Sequence, residues 1–224
     1  MALKVMSMIA QQEVDVPGWT PWSDAHSLIA RELRGVDRAN LKVYFQSLHG
    51  LTEATFRRSL LVGLRMHQVP FKDAETWLHD HDETPDRKEF PKRFDRLYGA
   101  LGTSWAELTS KSEPFRCALD LWHDYSKVIR NHLAHAIRSY ADEWLTCAIQ
   151  VDQILLMEFD RVMEPIVGGG LTHDLTKLVP RLPKGIPGQD LSRITGVKQR
   201  KPRPTVSLGG AQIEVARLIE MRTK

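Results

Sequence analysis

From Phe115 to Glu164 the chain runs for 50 residues without a glycine or a proline, and the stretch is rich in Leu, Ala, Ile, Trp and Glu. A run without either backbone breaker and with that composition reads as long helix. As one rod it would reach roughly 75 Å at 1.5 Å per residue, too long for a compact domain, so a bend or break is expected, near Asp142. The earlier part of the chain also reads as helices. Ser23 is placed to cap one over 24–34 ending at Gly35, and Asp37 to cap a second over 38–49 ending at Gly50. Thr52 is placed to cap a third over 53–67, stopped by Pro70, in which Phe56, Leu60, Leu61 and Leu64 follow helical spacing. Shorter helices fit 71–80 and the charged segment 84–98, where Phe90, Phe94 and Leu97 share a face and Pro91 lies near the start. No alternating strand pattern of any length precedes residue 200, and no internal repeat is present. The expected fold is an all-α helical bundle.

After Glu164 the texture changes. Of the 26 glycines and prolines in the chain, 14 fall between 165 and 210. The segment reads as a short helix over 172–179, an irregular loop over 180–188, an extended stretch over 198–204, and an amphipathic helix over 211–221 that docks through Ile213, Val215 and Leu218. The expected division is a bundle over 1–165 and a basic, partly irregular extension over 166–224. Charge follows the same line. Residues 1–175 hold 20 basic and 25 acidic side chains, whereas 176–204 hold 8 basic ones against Asp190 alone. Such a block either binds phosphate or an acidic partner, with Lys198, Arg200, Lys201 and Arg203 as its phosphate-binding candidates, or is a solvated tail.

Composition closes off other classes. Hydrophobic residues make up 42% and charged residues 26%, a globular profile that excludes a wholly disordered chain. No stretch approaches the ~18 apolar residues that cross a bilayer, and the first ten residues make a poor signal peptide. Two cysteines, Cys117 and Cys147, sit in apolar helical patterns; they exclude a disulfide framework and a cysteine-only metal site and fit a reducing cytoplasm.

Chemistry concentrates in Trp122–Tyr140. On one continuous helix, Leu121, Tyr125, Val128, His132, Ala136 and Tyr140 form a mostly apolar stripe, and Lys127, Asn131, His135, Arg138 and Asp142 a polar stripe beside it. Asn131 and His135 then face the same way, Arg138 follows three positions on, and Arg130 is offset from His135 by about 140°, a gap that a long side chain can curl across. RNA carries its own nucleophile, the 2′-hydroxyl. A nuclease exploiting it needs a proton acceptor near neutral pH, a donor for the leaving oxygen and positive charge on the phosphorane. Histidine suits proton transfer, and the arginine fork suits the phosphate. No metal or cofactor is required. One helix supplies half of such a site, and a two-fold dimer would supply the rest.

The run Arg130-Asn131-His132-Leu133-Ala134-His135 resembles the signature of the HEPN superfamily: Arg, a polar residue that is often Asn, a few further residues, then His. The apolar lead-in Tyr125, Val128 and Ile129 and the small Ala134 before the histidine are also similar. An Arg-x4-His pair is expected about 0.8 times by chance in this composition, but with Asn directly after the Arg the expectation falls to about 0.01, so the Asn carries the specificity. The resemblance implies a small all-α bundle, commonly a homodimer with a composite active site. It implies a metal-independent endoribonuclease that leaves 2′,3′-cyclic phosphate ends, as in toxin–antitoxin and anti-phage defence systems, with an antitoxin or defence-complex partner. It makes Arg130 and His135 the catalytic pair and Asn131 their polar support; Arg138 is a further candidate for holding phosphate. Other members of that superfamily are inactive RNA-binding or nucleotide-binding modules, so a non-catalytic RNA- or protein-binding module is the alternative.

The rival constellation is metallic. His-Asp pairs occur four times, at His79-Asp80, His81-Asp82, His123-Asp124 and His173-Asp174, where about 0.6 would arise by chance. An HD-type phosphohydrolase would recruit His123 and Asp124 with His79 and Asp152, but the order and context of the extra ligands do not fit that pattern. Trp77, Trp105, Trp122 and Trp144 sit at helical spacing and are expected in the core, as is His132 on the apolar stripe.

Overall fold

A computed structural model describes residues 14–81, 86–168 and 171. The described chain is all-α, with no strand among the described residues. In order it forms α1 (Trp19–Ala25), α2 (Ser27–Glu32), α3 (Leu41–Met66), α4 (Phe71–His81), α5 (Glu89–Tyr98), a 3₁₀ turn (Gly99–Leu101), α6 (Trp105–Lys111), α7 (Glu113–Leu121), a π turn (Trp122–Ser126), α8 (Lys127–Ala134) and α9 (Asp142–Val167).

Two 26-residue helices, α3 and α9, form the spine and pack against each other along their length. Asn40 caps α3, its Oδ1 accepting from the Val43 amide at 3.3 Å. Local signals in the sequence predict two helices here, broken at Gly50 and restarted by Thr52. Instead the helix runs through both positions. Thr52 does not cap; its hydroxyl donates back to the Leu48 carbonyl at 3.0 Å, and Thr55 does the same to Leu51 at 2.9 Å. A buried threonine satisfied within its own helix needs no break. Similarly, Ser23 lies inside α1 rather than capping a helix over 24–34, and the chain splits at His26 into α1 and α2. The expected helices over 71–80 and within 84–98 are present as α4 and α5, and Phe90, Phe94 and Leu97 are buried as their spacing predicts.

Two apolar clusters fill the bundle. One gathers Phe56, Trp105, Phe115, Trp122 and Phe159, whose rings stack, tilt or meet edge to face at 4.6–6.2 Å. The other gathers Trp19, Phe45, Leu48, Ile129, Leu133, Leu145 and Ile149. The segment before α1 is tied to this second cluster by Gln153, whose Oε1 accepts from the Val16 amide at 2.9 Å, and the start of α1 by Trp19 Nε1, which donates to the Tyr44 hydroxyl at 3.1 Å.

The glycine- and proline-free run is interrupted, but not as one bent rod. A π turn divides α7 from α8, and residues 135–141 separate α8 from α9, which begins at Asp142. Pro165 does not end the bundle: α9 continues to Val167 and stops at Gly168, which is left-handed at φ 66°. Leu171 is fully buried and tied back, its amide donating to Asp160 Oδ1 at 2.7 Å. The elements expected over 172–224, including Lys198, Arg200, Lys201 and Arg203, lie outside the described residues.

Candidate active site

The inward face of the π turn and α8 consists of Trp122, Ser126, Ile129 and Leu133. This reverses the expected orientation. Of the stripe read as the packed one, Leu121 is 53% and Val128 41% exposed, while Tyr125 and Tyr140 pack only partly against the second cluster. His132 is half-buried rather than in the core and bonds through Nδ1 to the Tyr140 hydroxyl. Tyr140 and Tyr125 both contact Trp144, which is 47% exposed and not a core residue. Cys117 and Cys147 are also exposed. The result is a strip of aromatic and aliphatic side chains at the surface beside α8.

Asn131 and His135 do not share a continuous helix with Arg138. α8 ends at Ala134 with His135 as its C-cap. The Ile137 amide reaches the His132 carbonyl at 2.9 Å, the Ala136 amide reaches Leu133 at 3.3 Å, and Ala136 is left-handed at φ 52°. This is a Schellman closure with alanine where glycine is usual. His135 therefore projects from a helix end and is exposed. Arg138 belongs to the following turn, with its guanidinium carbon 5.2 Å from the centre of the Tyr140 ring. A cleft of about 690 Å³ opens between this turn and the start of α3, with Lys42, Leu133, Arg138, Tyr140 and Asp142 among its walls.

Arg130 is half-buried and held from two sides. One guanidinium nitrogen donates to Asn131 Oδ1 at 3.1 Å, and the other donates to Glu53 Oε2 at 3.4 Å. Asn131 thus contacts the arginine rather than His135. Behind Glu53 lies a buried polar chain that the sequence reading missed. His49, one turn before Glu53 on α3, is fully buried, with Nε2 3.9 Å from Glu53 Oε1. Its Nδ1 is 3.0 Å from Ser126 Oγ and 3.4 Å from Asp152 Oδ2. Asp152, also fully buried, accepts from Ser126 Oγ at 2.5 Å and from Trp122 Nε1 at 2.8 Å. The signal was available: His49 and Glu53 stand four apart on an apolar helix, and Asp152 interrupts an apolar run.

The ligand set of the metal reading, His123 and Asp124 with His79 and Asp152, is not brought together. Asp152 is committed to Trp122 and Ser126 in the interior, and Asp124 pairs with Arg87 at 2.8 Å. Burial, then the charges of Lys127 and Arg87, push the His123 imidazole down to about 4. Among the described residues no three His, Cys, Asp or Glu side chains gather as a metal site. Lys127, in the first turn of α8, is also shifted down by burial, opposed by the nearby charges of Glu53 and Asp86.

Compared with protein-family models, with curated proteins and with solved structures, the chain matches none of them.

Proposed function

We propose that this protein is a metal-independent endoribonuclease of the HEPN kind, acting as a toxin or anti-phage defence effector. The reading rests on one observation: the Arg130-Asn131…His135 motif sits at the end of a surface helix with its arginine oriented and its histidine exposed. Asn131 and Glu53 hold the Arg130 guanidinium from the helix side, leaving it 40% exposed for a phosphate. His135, free of the helix interior, moves a proton to or from the reacting oxygens. The RNA 2′-hydroxyl attacks its own 3′-phosphate, the 5′-oxygen of the next nucleotide leaves with a proton, and a 2′,3′-cyclic phosphate remains.

One copy offers one such histidine, and the reaction uses both an acid and a base. The exposed strip beside α8, with Leu121, Val128 and Trp144, is the surface on which a second copy would bring its own motif alongside. In this reading the cleft beside Arg138 and Lys42 takes the flanking RNA strand, and the basic block over 176–204 adds non-specific attraction for RNA or contacts an antitoxin.

The test is RNA cleavage in excess EDTA by the unsubstituted protein, Arg130→Ala and His135→Ala. Cleavage that both folded variants lose by at least about a hundredfold supports the reading. Activity that appears only with added divalent metal contradicts it. Salt-sensitive RNA binding without cleavage, across several RNAs, favours the non-catalytic binding module.

A further inference from the structure

A second cavity, of about 350 Å³, opens between α5, α6, α7 and the π turn, in the size range of small-ligand sites. Its floor is buried and apolar, made by Phe56, Phe90, Trp105 and Leu119. Trp105 meets Phe90 edge to face at 5.0 Å, and Phe90 meets Phe56 the same way at 5.3 Å, so the floor is fixed before any ligand arrives. The rim is polar, and most of it is already engaged. Arg87 pairs with Asp124 at 2.8 Å, Arg116 faces Glu113 across 3.7 Å, and Asp86 Oδ1 accepts from the Lys88 and Glu89 amides. The Thr109 hydroxyl donates back into α6, to the Trp105 carbonyl at 3.0 Å. Two rim groups remain, Asp120 on α7 and His123 on the π turn; among the described residues neither has a hydrogen-bond partner. Burial, then the charges of Lys127 and Arg87, keep the His123 imidazole neutral near pH 7, so it offers one donor and one acceptor. The exposed Asp120 carboxylate only accepts.

This lining selects a ligand. An apolar aromatic floor takes a flat ring, and the two unengaged rim groups take a ring edge that brings donors to Asp120. Both rim guanidiniums already face carboxylates, which disfavours a phosphate inside the cavity. A nucleobase is flat, stacks through its faces and hydrogen-bonds through its edge. Guanine carries two adjacent donors, N1–H and the 2-amino group, that match the two oxygens of one carboxylate; uracil carries a single N–H. The place of the cavity supplies the rest. His123, Lys127 and Arg130 follow at intervals of four and three along the π turn and α8. Lys127 lies between the other two, acting on the charge of His123 and itself acted on by Arg130. The cavity is thus roughly 10 Å along the helix axis from Arg130, within reach of a short stretch of single strand. The cleft beside Arg138 lies past the other end of α8, so a strand crossing Arg130 has a site on either flank. We propose that this cavity is a base pocket for single-stranded RNA, taking an unpaired guanine on Asp120 and His123 while Lys127 and Arg130 meet the phosphates that follow. Its part in cleavage rests on the nuclease reading; the base binding itself does not.

The experiment titrates the full chain, in EDTA, with guanosine, adenosine, cytidine and uridine 5′-monophosphates and follows the Trp105 indole and His123 ring signals by NMR. Guanosine monophosphate is expected to move both signals at concentrations where uridine monophosphate moves neither. Asp120→Asn, a change at an exposed position, should weaken that binding by at least about tenfold, because an amide cannot accept from both donors. If the protein cleaves RNA, replacing the guanine of a cleaved site by hypoxanthine, which lacks the 2-amino group, should lower kcat/KM about tenfold in the unsubstituted protein and hardly at all in Asp120→Asn. No movement of Trp105 and His123 with any of the four nucleotides overturns the proposal. So does an equal response to all four, or guanosine monophosphate binding that folded Asp120→Asn leaves intact. Cleavage without any preference for guanine also overturns it, while the nuclease reading stands. Guanine-selective binding that depends on Asp120, without cleavage of any RNA, supports the pocket while the nuclease reading falls.

Discussion

Asp152 stands at full burial with two donors aimed at it, Trp122 Nε1 and Ser126 Oγ, and His49 beside them. Removing it strands all three in the buried interior. Asp152→Ala should therefore cost about 3–5 kcal/mol, read as a lower midpoint in urea denaturation. His123 gives a prediction with a sign. Its folded value lies near 4, below its ordinary 6.5, so between those pH values the unfolded chain binds the extra proton. Stability therefore rises as pH climbs from about 4 to 6.5 and is lost on the way down. After solvent screening the change is roughly 1–2 kcal/mol, and His123→Gln should flatten that part of a melting-temperature profile. At this scale the sequence was legible where spacing met simple chemistry. Asn131 follows Arg130 and bonds to it. Trp144 was misplaced because an apolar residue in a helical pattern does not say which side of the helix the core lies on.

Among the elements, α3 explains most of the difference between expectation and structure. Glycine at 50 and threonine at 52 are local stop and start signals, yet the packing of α3 along α9 outweighs a helical cost of about 1 kcal/mol for one glycine. A second glycine in α3 has a packing role. A Cβ at Gly63 would meet Leu97 Cβ at 2.9 Å and Tyr98 Cε2 at 3.1 Å, neither of which is a flexible tip. Gly63→Ala should push α5 away and destabilise by roughly 1–3 kcal/mol in the same denaturation measurement. The end of α8 shows the opposite case, a break without its signal. Ala136 holds the left-handed position that glycine usually marks, so nothing in the composition announced the turn. Ala136→Gly should stabilise by about 0.5–1 kcal/mol without moving His135, checked by thermal melting and by unchanged activity. The predicted interruption near Asp142 was legible from length alone; its form, a Schellman closure at His135–Ile137, was not, and neither was the π turn at Trp122–Ser126.

For the whole molecule, beyond the two apolar clusters the described residues leave Leu121, Val128 and Trp144 exposed beside the motif, as well as Val43 and Ile137. No described helix is long and apolar enough to cross a membrane. If the exposed strip beside α8 joins two copies, Val128→Glu should shift sedimentation from dimer to monomer and abolish cleavage while the melting of each subunit stays cooperative. A monomeric unsubstituted protein would contradict the composite site. The central claim, however, concerns the nucleophile, and one substrate comparison addresses it. In EDTA, the protein is given an RNA that it cleaves and the same oligonucleotide carrying a 2′-deoxy sugar on the 5′ side of the cleaved bond. The account predicts scission of the first with a 2′,3′-cyclic phosphate end and complete resistance of the second at that bond. Cleavage of the deoxy-substituted bond would mean that the 2′-hydroxyl is not the attacking group, and the roles given to Arg130 and His135 would fall with it.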